Sequence, residues 1–238
     1  ALGVNTSCAL GLDEKVYCWG DNRRGQVGNY LNSSLEASPQ VVKLNNGEDL
    51  SQVVKIQAGA NHLCALTKEK DLYCWGDNAQ FQLNTSIVLS SNNALLVNSG
   101  VDSFSLGANH SCVVKGGIPS CVGSNLFYQL SNGSLSPSAT WELALKEVGS
   151  FSGVNALYGG DTFTIFKEGN NYFGAGVNSQ GELGTGNTTP APKSISVLSD
   201  KSPSLIVTGV ASLCFTENGF GFCQGLNDNN FANPQGLG

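Results

Sequence analysis

The chain has 238 residues, of which only 13% are charged, and its formal net charge is −6. This acidic balance would repel a phosphate backbone, so we expect no binding to nucleic acid. No apolar run approaches the roughly 20 residues of a spanning helix, so we expect no membrane span in this stretch. The 30 glycines and the Ser- and Asn-rich segments between short apolar runs are typical of many short strands joined by turns.

One pattern recurs five times along the chain, most completely from Ala58 to Asn78. Its copies begin at Gly3, Gly59, Gly107, Gly159 and Gly209, so the period is about 50 residues. Self-similarity at this period predicts a propeller or an array. We therefore expect one domain over residues 1–238, with repeat cores at about 3–28, 59–84, 107–131, 159–184 and 209–233.

In the first repeat, Leu2–Leu10 and Val16–Trp19 are predicted to be strands, and Gly20–Gly28 is a turn-rich exit. Two more strands, Gln40–Leu44 and Val53–Gln57, are predicted before the second repeat. Later repeats have similar leading strand pairs: Ala94–Val97 with Ser103–Leu106, Trp141–Leu145 with Val154–Tyr158, and Lys193–Val197 with Ser204–Thr208. About four strands per unit is the content of one blade, so we predict an all-β β-propeller of about five four-stranded repeats.

Closure of the ring is the open question of this fold. Only Ala1 and Leu2 precede the first leading glycine, and the tail Leu226–Gly238 is mostly turn residues. We therefore expect an incomplete ring. It could be completed by flanking sequence or by strands of a partner molecule; the remaining alternative is a self-closed five-bladed ring.

Eight cysteines form four couples, each around one candidate hairpin: Cys8/Cys18, Cys64/Cys74, Cys112/Cys121 and Cys214/Cys223. Turns at Gly116-Gly117 and Asn218-Gly219 would place paired cysteines opposite each other, within reach of a disulfide. In the fourth repeat both slots, counted as Thr164 and Gly174, lack cysteine together, as paired partners should. We predict four hairpin disulfides; zinc is the alternative, but the spacing lacks the CxxC pattern of structural zinc sites.

Four disulfides indicate an oxidising compartment, so we expect an extracellular or cell-surface protein. Met is absent, even at position 1. A removed signal peptide would explain this absence, and so would a fragment.

The sequence pattern around Ala58–Asn78 resembles the repeat of the regulator of chromosome condensation family of β-propellers. The matching residues are Gly59, His62, Ala65, Leu66, Trp75, Gly76, Asn78, Gln82 and Leu83. The resemblance covers nearly the whole chain and implies a propeller, usually of seven blades. The paired cysteines depart from the nuclear members. They look more like the secreted branch, such as the ectodomains of Crinkly-type plant receptor kinases or β-lactamase inhibitor protein II.

Six Asn-x-Ser/Thr sequons are present: Asn5, Asn32, Asn84, Asn109, Asn132 and Asn187. Four of them, Asn32, Asn84, Asn132 and Asn187, follow the Gln-Leu exit of their repeats, which predicts glycans along one rim. Asn5 and Asn109 share a second register. If the source is eukaryotic, we predict N-linked glycans on several of these sites; the alternative is bare sites in Asn-rich loops.

Candidate chemistry is sparse. His62 and His110 occupy the same repeat slot, which favours a structural role over a catalytic base. Asp21, Asp77 and Asp228 recur in register as turn residues. Glu36, Glu48, Asp49, Asp102 and Glu142 are scattered, and Asn227–Asn230 lacks the acidic spacing of a calcium loop. We predict no catalytic residue, no metal site and no cofactor.

Two functions remain. The first is an extracellular non-enzymatic β-propeller module for protein recognition or structural assembly, at a cell surface or in a filament, with a protein partner or itself. The alternative is a secreted propeller enzyme, a lyase or hydrolase acting on a polysaccharide. That enzyme would need carboxylates or histidines that converge in one pocket. Fold alone does not decide between them.

Overall fold

The computed structural model describes residues 1–31 and 33–226, and these form 18 strands in five antiparallel sheets. Each sheet is one blade, so the predicted all-β propeller of five repeats is confirmed. Within these ranges, no helix has the length and apolar character needed to cross a membrane.

The blades follow one another along the chain. Blade 1 comprises β1 (Thr6–Leu10), β2 (Val16–Asp21) and β3 (Leu35–Val41). Blade 2 comprises β4 (Val53–Ala58), β5 (His62–Thr67), β6 (Leu72–Asp77) and β7 (Ser90–Asn98). Blade 3 comprises β8 (Ser103–Leu106), β9 (His110–Lys115), β10 (Ile118–Gly123) and β11 (Ser138–Leu143). Blade 4 comprises β12 (Val154–Gly159), β13 (Phe163–Glu168), β14 (Asn171–Gly176) and β15 (Ala191–Val197). Blade 5 comprises β16 (Leu205–Thr208), β17 (Ser212–Glu217) and β18 (Phe220–Gly225).

The predicted leading strand pairs are wrong. Strands β7 and β8 follow each other in sequence, but β7 pairs with β6 in blade 2, whereas β8 pairs with β9 in blade 3. The chain leaves β6 through a long polar loop and returns beside the same strand, so the fourth strand belongs to the earlier repeat. Among the described residues, blade 1 therefore lacks an innermost strand and blade 5 lacks an outermost one.

A run of backbone hydrogen bonds marks the propeller axis. The amide of Val4 donates to Ala60 O (2.9 Å), and Ala60 donates to Ala108 O (3.0 Å). The run continues from Ala108 to Asp161 O (3.3 Å) and from Asp161 to Gly209 O (3.2 Å). Over residues 1–31 and 33–226, no backbone hydrogen bond joins blade 5 back to blade 1.

Neighbouring blades pack face to face around the disulfides. Each predicted couple is a disulfide in the structure: Cys8–Cys18, Cys64–Cys74, Cys112–Cys121 and Cys214–Cys223. In blades 1, 2 and 3 the disulfide lies on the face that meets the next blade. The Cys8–Cys18 bond, for example, packs with Leu63 and Trp75 of blade 2.

Blade 4 has no disulfide, and one of its two predicted slots is wrong: Gly174 is confirmed, but its opposite residue is not Thr164. The directly opposed pair is Ile165 and Gly174, whereas Thr164 lies opposite Ala175. The leading glycine of this repeat is Gly160, because its amide donates to Phe163 O as that of Gly107 donates to His110 O. A Cβ at Gly174 would lie 3.0 Å from Ile165 Cδ1, so the isoleucine side chain fills the space of the missing bond.

Candidate recognition surface

The propeller has two unlike faces, defined by which connections lie there. The loop face carries the turns that precede β1, β5, β9, β13 and β17, together with the exit loops that follow β2, β6, β10 and β14. The two sets of connections touch, since the Asp77 amide at the start of one exit loop donates to Asn61 O at 2.8 Å. The opposite hairpin face carries the β1–β2, β5–β6, β9–β10, β13–β14 and β17–β18 turns and the connections between blades.

Glycine is required where each described exit loop leaves its strand. Gly76 has φ of +97°, and a Cβ there would lie 2.4 Å from Asn61 O. This combination of left-handed backbone and close approach excludes any side chain.

One buried asparagine fixes each described exit loop. The Oδ1 atom of Asn78 accepts the Leu83 amide at 2.8 Å, and its Nδ2 donates to Thr85 O (2.8 Å) and Val88 O (2.6 Å). The same acceptor bond occurs at Asn22, Asn125 and Asn178. The exit loops are therefore pinned at both ends by side chains that the repeat pattern supplies.

Each blade junction also contains a side-chain hydrogen bond that could not be predicted from the sequence, because the donor is a different residue type at each junction. A side chain of each following blade donates to the carbonyl of the exit-loop Gln or Glu of the preceding blade. The four bonds are Trp75 Nε1 to Gln26 O (2.9 Å), Ser111 Oγ to Gln82 O (2.8 Å), Thr164 Oγ1 to Gln129 O (2.8 Å) and Gln224 Nε2 to Glu182 O (3.2 Å). Only the acceptor, the exit-loop Gln or Glu, recurs from one repeat to the next in the sequence.

A small funnel of about 320 Å³ opens at the axis on the loop face, and all five repeats line it. Its wall is mostly Gly, Ala and backbone, with Leu2, Val4 and Val210 at the rim. Asp161 is the one ionisable residue among the described residues that line it, and burial raises the pKa of its carboxyl. A single carboxyl without a second acid, base or nucleophile does not form an acid–base pair.

A groove of about 600 Å³ lies between the exit loops of blades 1 and 2 and is lined mainly by Asn and Ser. Arg23 and Arg24 lie nearby, in the exit loop that follows β2. In the structure Arg23 pairs with Asp21 (2.8 Å), and Arg24 pairs with Asp77 of blade 2 (2.6 Å). These pairs neutralise the two adjacent arginines.

All the described sequons lie on the loop face. Asn5 and Asn109 are in the inner turns, and Asn84, Asn132 and Asn187 are in exit loops; Asn32 lies outside the described residues. The exit-loop sites share loops but not one register, because they follow the anchoring asparagine by six, seven and nine residues. Asn5 and Asn187 are exposed, whereas the Nδ2 atom of half-buried Asn84 donates to Val97 O at 3.2 Å.

The hairpin face carries most of the ion pairs of the described residues. Six ion pairs lie there: Lys15–Asp49, Lys43–Asp49, Lys68–Glu14, Lys70–Asp102, Lys146–Glu168 and Lys201–Glu217. Most of these groups are partly exposed, so each pair adds little stability. They give this face alternating charge, beside exposed apolar residues such as Leu12 and Val148.

His62 and His110 are both fully buried between blades. The Nε2 atom of His62 lies 3.1 Å from Ser111 Oγ, and that of His110 lies 2.8 Å from Thr164 Oγ1. Burial lowers the pKa of each imidazole to about 3, so both rings are neutral at physiological pH. Their positions match the structural role that the sequence predicts.

The scattered carboxylates do not converge. Asp49 and Asp102 pair with lysines on the hairpin face, Glu48 contacts Asn46, and Glu36 and Glu142 accept bonds from Ser33 and Ser138. In the described part of the chain, no group of three or more His, Cys, Asp or Glu residues could hold a metal ion. Asp228 and the Asn227–Asn230 run lie outside the described residues.

Part of the chain matches a known family of repeats. Models of the regulator of chromosome condensation (RCC1) repeat match residues 13–66 and 53–82. Among curated proteins, the mouse probable E3 ubiquitin-protein ligase HERC4 is 28% identical over 79% of this chain. The alignment spans only 18% of HERC4.

Solved structures share the fold at low identity. Human WBSCR16 superimposes with a TM-score of 0.78 and 21% identity, over 91% of this chain and 56% of that one. Prp20p of Saccharomyces cerevisiae, described with its binding to Gsp1p and histones, superimposes with a TM-score of 0.77 and 17% identity, over 93% of this chain and 56% of that one. This chain thus spans little more than half of each structure.

Proposed function

We propose that this chain, in which residues 13–66 and 53–82 match models of the regulator of chromosome condensation (RCC1) repeat, is a non-catalytic extracellular module that recognises a protein through its hairpin face. The observation that carries the proposal is the segregation of the two faces. Every described sequon lies on the loop face, and most ion pairs of the described residues lie on the hairpin face. Glycans on the loop face would leave the hairpin face open to a partner.

Mixed charge with interspersed apolar side chains suits a protein partner. Rim charges raise association rates and select against wrong partners, while exposed apolar groups such as Leu12 and Val148 supply burial. Yeast Prp20p, which has the same fold, is described as binding Gsp1p and histones. Protein recognition is therefore a function that this fold supports in another protein.

The extracellular part of the proposal rests on the four disulfides. Hairpin disulfides persist in oxidising compartments and are rare in cytosolic proteins. Three of them are buried between blades, where they are part of the core. A reduced form would leave six buried thiols in place of these bonds.

The polysaccharide-cleaving alternative finds little support in the described residues. A lyase or hydrolase needs two groups with separated pKa values at one cleft. The axial funnel contributes Asp161 alone, and the other candidate carboxylates pair elsewhere.

The compartment is tested on native material. Native material is denatured directly in a first alkylating reagent, so that buried free thiols are also modified, and the remaining cysteines are labelled with a second reagent after reduction. We expect all eight cysteines to take the second label. First-label modification of buried cysteines such as Cys64 and Cys74 would indicate a reducing compartment and contradict the extracellular proposal.

The binding face is tested by photo-crosslinking from matched positions. A photoreactive residue replaces Leu12 or Val148 on the hairpin face, or Ile87 or Leu89 on the loop face; all four side chains are at least 75% exposed. We expect crosslinks to a protein partner from the first two positions only. Crosslinks from the loop face alone, or cleavage of a polysaccharide panel by the purified chain, would contradict the proposal.

A further inference from the structure

The groove between blades 1 and 2 on the loop face, of about 600 Å³, has a size typical of a small-molecule site. The exit loop of blade 1 forms one wall, with Leu31, Ser33 and Ser34. The start of β7 in blade 2 forms the other wall, with residues 90–93. Both walls belong to one internal blade junction, so the groove is a property of two neighbouring repeats.

Backbone hydrogen bonds hold blade 1 against β7 beside this groove. The Tyr30 amide donates to Asn92 O at 2.8 Å, and the Ala94 amide donates to Lys43 O at 2.8 Å. These contacts fix the shape of the groove before a ligand arrives, which lowers the cost of ordering it on binding. They also occupy β7 backbone groups that an extended peptide would need for strand pairing in the groove.

The two walls offer neutral polar groups that have no partner. Ser34 on one wall and Ser90 on the other are exposed, and neither hydroxyl makes a hydrogen bond within residues 1–31 and 33–226. The Nδ2 atom of Asn93 is buried in the second wall and also lacks a partner there. An unsatisfied buried donor is unfavourable. A rotation of the Asn93 carboxamide about χ2, which is a soft torsion, would bring this donor to a ligand oxygen.

Charged groups contribute little to the lining of this groove. Arg23 is the one charged residue among the described residues that line it, and its guanidinium donates two hydrogen bonds to Asp21, at 2.8 and 3.0 Å. The same described lining includes no carboxylate that could pair with a cationic ligand. Leu31, Val88 and Leu95 add apolar surface. The lining therefore suits a neutral ligand that has both hydroxyl groups and C–H surface.

We propose that this groove binds a neutral oligosaccharide. Each sugar hydroxyl both donates and accepts hydrogen bonds, as do the Ser34 and Ser90 hydroxyls. No aromatic ring is among the described lining residues, so stacking on a ring does not contribute, and we expect a dissociation constant of about 0.1–1 mM. These lining residues also include no Asp, Glu or His, so the groove has no acid–base pair to cleave the bound sugar. The inference does not depend on the protein partner proposed for the hairpin face.

The test titrates the folded chain, with its disulfides intact, with neutral hexasaccharides of glucose, mannose, galactose and N-acetylglucosamine. Proton–nitrogen correlation NMR reports both the affinity and the residues that respond. The comparison ligands are an anionic hexagalacturonate, a cationic hexamer of glucosamine and a neutral hexapeptide of Ser and Asn. Ser90→Arg fills the groove, and Asn93→Ala removes the unpartnered donor. Ser179→Arg is the matched control, because this exposed serine occupies the Arg23 slot in the exit loop of blade 4.

We expect at least one neutral hexasaccharide to bind the wild-type chain and Ser179→Arg equally, with shifts in lining residues such as Leu31 and Leu95. Ser90→Arg should weaken this binding by at least about tenfold, because its side chain occupies the place of the ligand. Asn93→Ala should weaken it by about three- to tenfold, because one hydrogen bond to the ligand is lost. Thermal unfolding verifies that each variant is folded.

Four results would overturn the proposal. The first is a wild-type chain that binds none of the neutral hexasaccharides at about 10 mM. The second is binding that Ser90→Arg or Asn93→Ala leaves unchanged. The third is tighter binding of either charged sugar. The fourth is tighter binding of the hexapeptide, which would make the groove a peptide site. Crosslinking of a protein partner from Leu12 or Val148 is measured separately, so none of these results would affect the proposed function of the hairpin face.

Discussion

The imidazole of His62 in blade 2 meets the hydroxyl of Ser111 in blade 3, with Nε2 and Oγ separated by 3.1 Å. The Ser111 proton goes to Gln82 O at 2.8 Å, so the hydroxyl accepts from His62 and the ring proton lies on Nε2. The Nδ1 atom is then a bare acceptor, and it has no partner among the described residues. His110 and Thr164 repeat the arrangement one blade later. Two neutral imidazoles therefore join three blades.

These two rings should make stability depend on pH. Burial lowers the pKa of both His62 and His110 to about 3, from 6.5 in the unfolded chain. The unfolded state therefore binds protons below pH 6.5 that the folded state does not bind, so stability falls as pH falls. Each ring should reduce the free energy of unfolding by about 2 kcal/mol between pH 6.5 and pH 5. Denaturant unfolding at fixed pH values measures this slope.

Blade 4 suggests the control for this prediction, because Phe163 occupies the histidine slot there and is fully buried. His62→Phe combined with His110→Phe should therefore fold and should lose most of the slope between pH 6.5 and 4.5. Ion-paired carboxylates such as Asp21 beside Arg23, and Asp49 beside Lys15, have a lowered pKa and lose their contribution only at more acidic pH. A double variant with the wild-type slope would contradict the assignment to histidine.

The local parts of this fold could be predicted from the sequence, because each hairpin contains its own signals. Turn glycines, opposed cysteines and the exit asparagine all lie within about 25 residues of one another. The blade boundaries could not be predicted in this way. Strand β7 pairs with β6 across a polar loop, and nothing local distinguishes it from a partner of β8.

The register of the fourth repeat is a sharper case. The doublet Gly159-Gly160 allows two alignments of the fourth repeat with the others, one that begins at Gly159 and one that begins at Gly160. The sequence alone favours Gly159. The structure selects Gly160, because a Cβ there would lie 2.2 Å from Cε1 of Phe163, as a Cβ at Gly107 would clash with His110. The aromatic ring requires the glycine, and this contact is invisible until the chain is folded. The one-residue shift moves the cysteine slot from Thr164 to Ile165.

This shift predicts where a fifth disulfide can be built. Ile165→Cys combined with Gly174→Cys should form a bond, because these residues are directly opposed on β13 and β14. Closing this loop stabilises by roughly 2–3 kcal/mol in the chain-entropy model, offset by the loss of the buried isoleucine. Mass mapping without reduction reads out the bond.

The matched control pairs Thr164→Cys with Gly174→Cys, the slots that the sequence alone suggests. Thr164 lies opposite Ala175, and its hydroxyl points to Gln129 O in the junction with blade 3. This variant should keep two free thiols. A disulfide in the control, or none in the Ile165→Cys variant, would contradict the register.

The four disulfides should differ in their reaction with a reductant. Cys18, Cys64, Cys74 and Cys121 are fully buried, whereas Cys214 and Cys223 are half-buried. Attack on a disulfide requires access to sulfur, so limiting reductant should open Cys214–Cys223 first. Alkylation followed by peptide mapping identifies the order. Earlier opening of Cys112–Cys121, which is covered by blade 4, would contradict this prediction.

The exit-loop asparagine should be the most sensitive polar residue of its repeat. Asn78 is fully buried and bonds the Leu83 amide and the carbonyls of Thr85 and Val88. Asn78→Ala would leave these backbone groups without their partner, so we expect a loss of about 2–3 kcal/mol in the free energy of unfolding. Asn46→Ala, in an exposed turn, is the control and should change stability by less than about 0.5 kcal/mol. Denaturant unfolding of both variants measures the difference, and hydrogen exchange should place the new mobility in residues 78–89. Equal stability of the two variants would mean that water replaces the Asn78 side chain without loss, and that the repeat asparagine does not fix the loop.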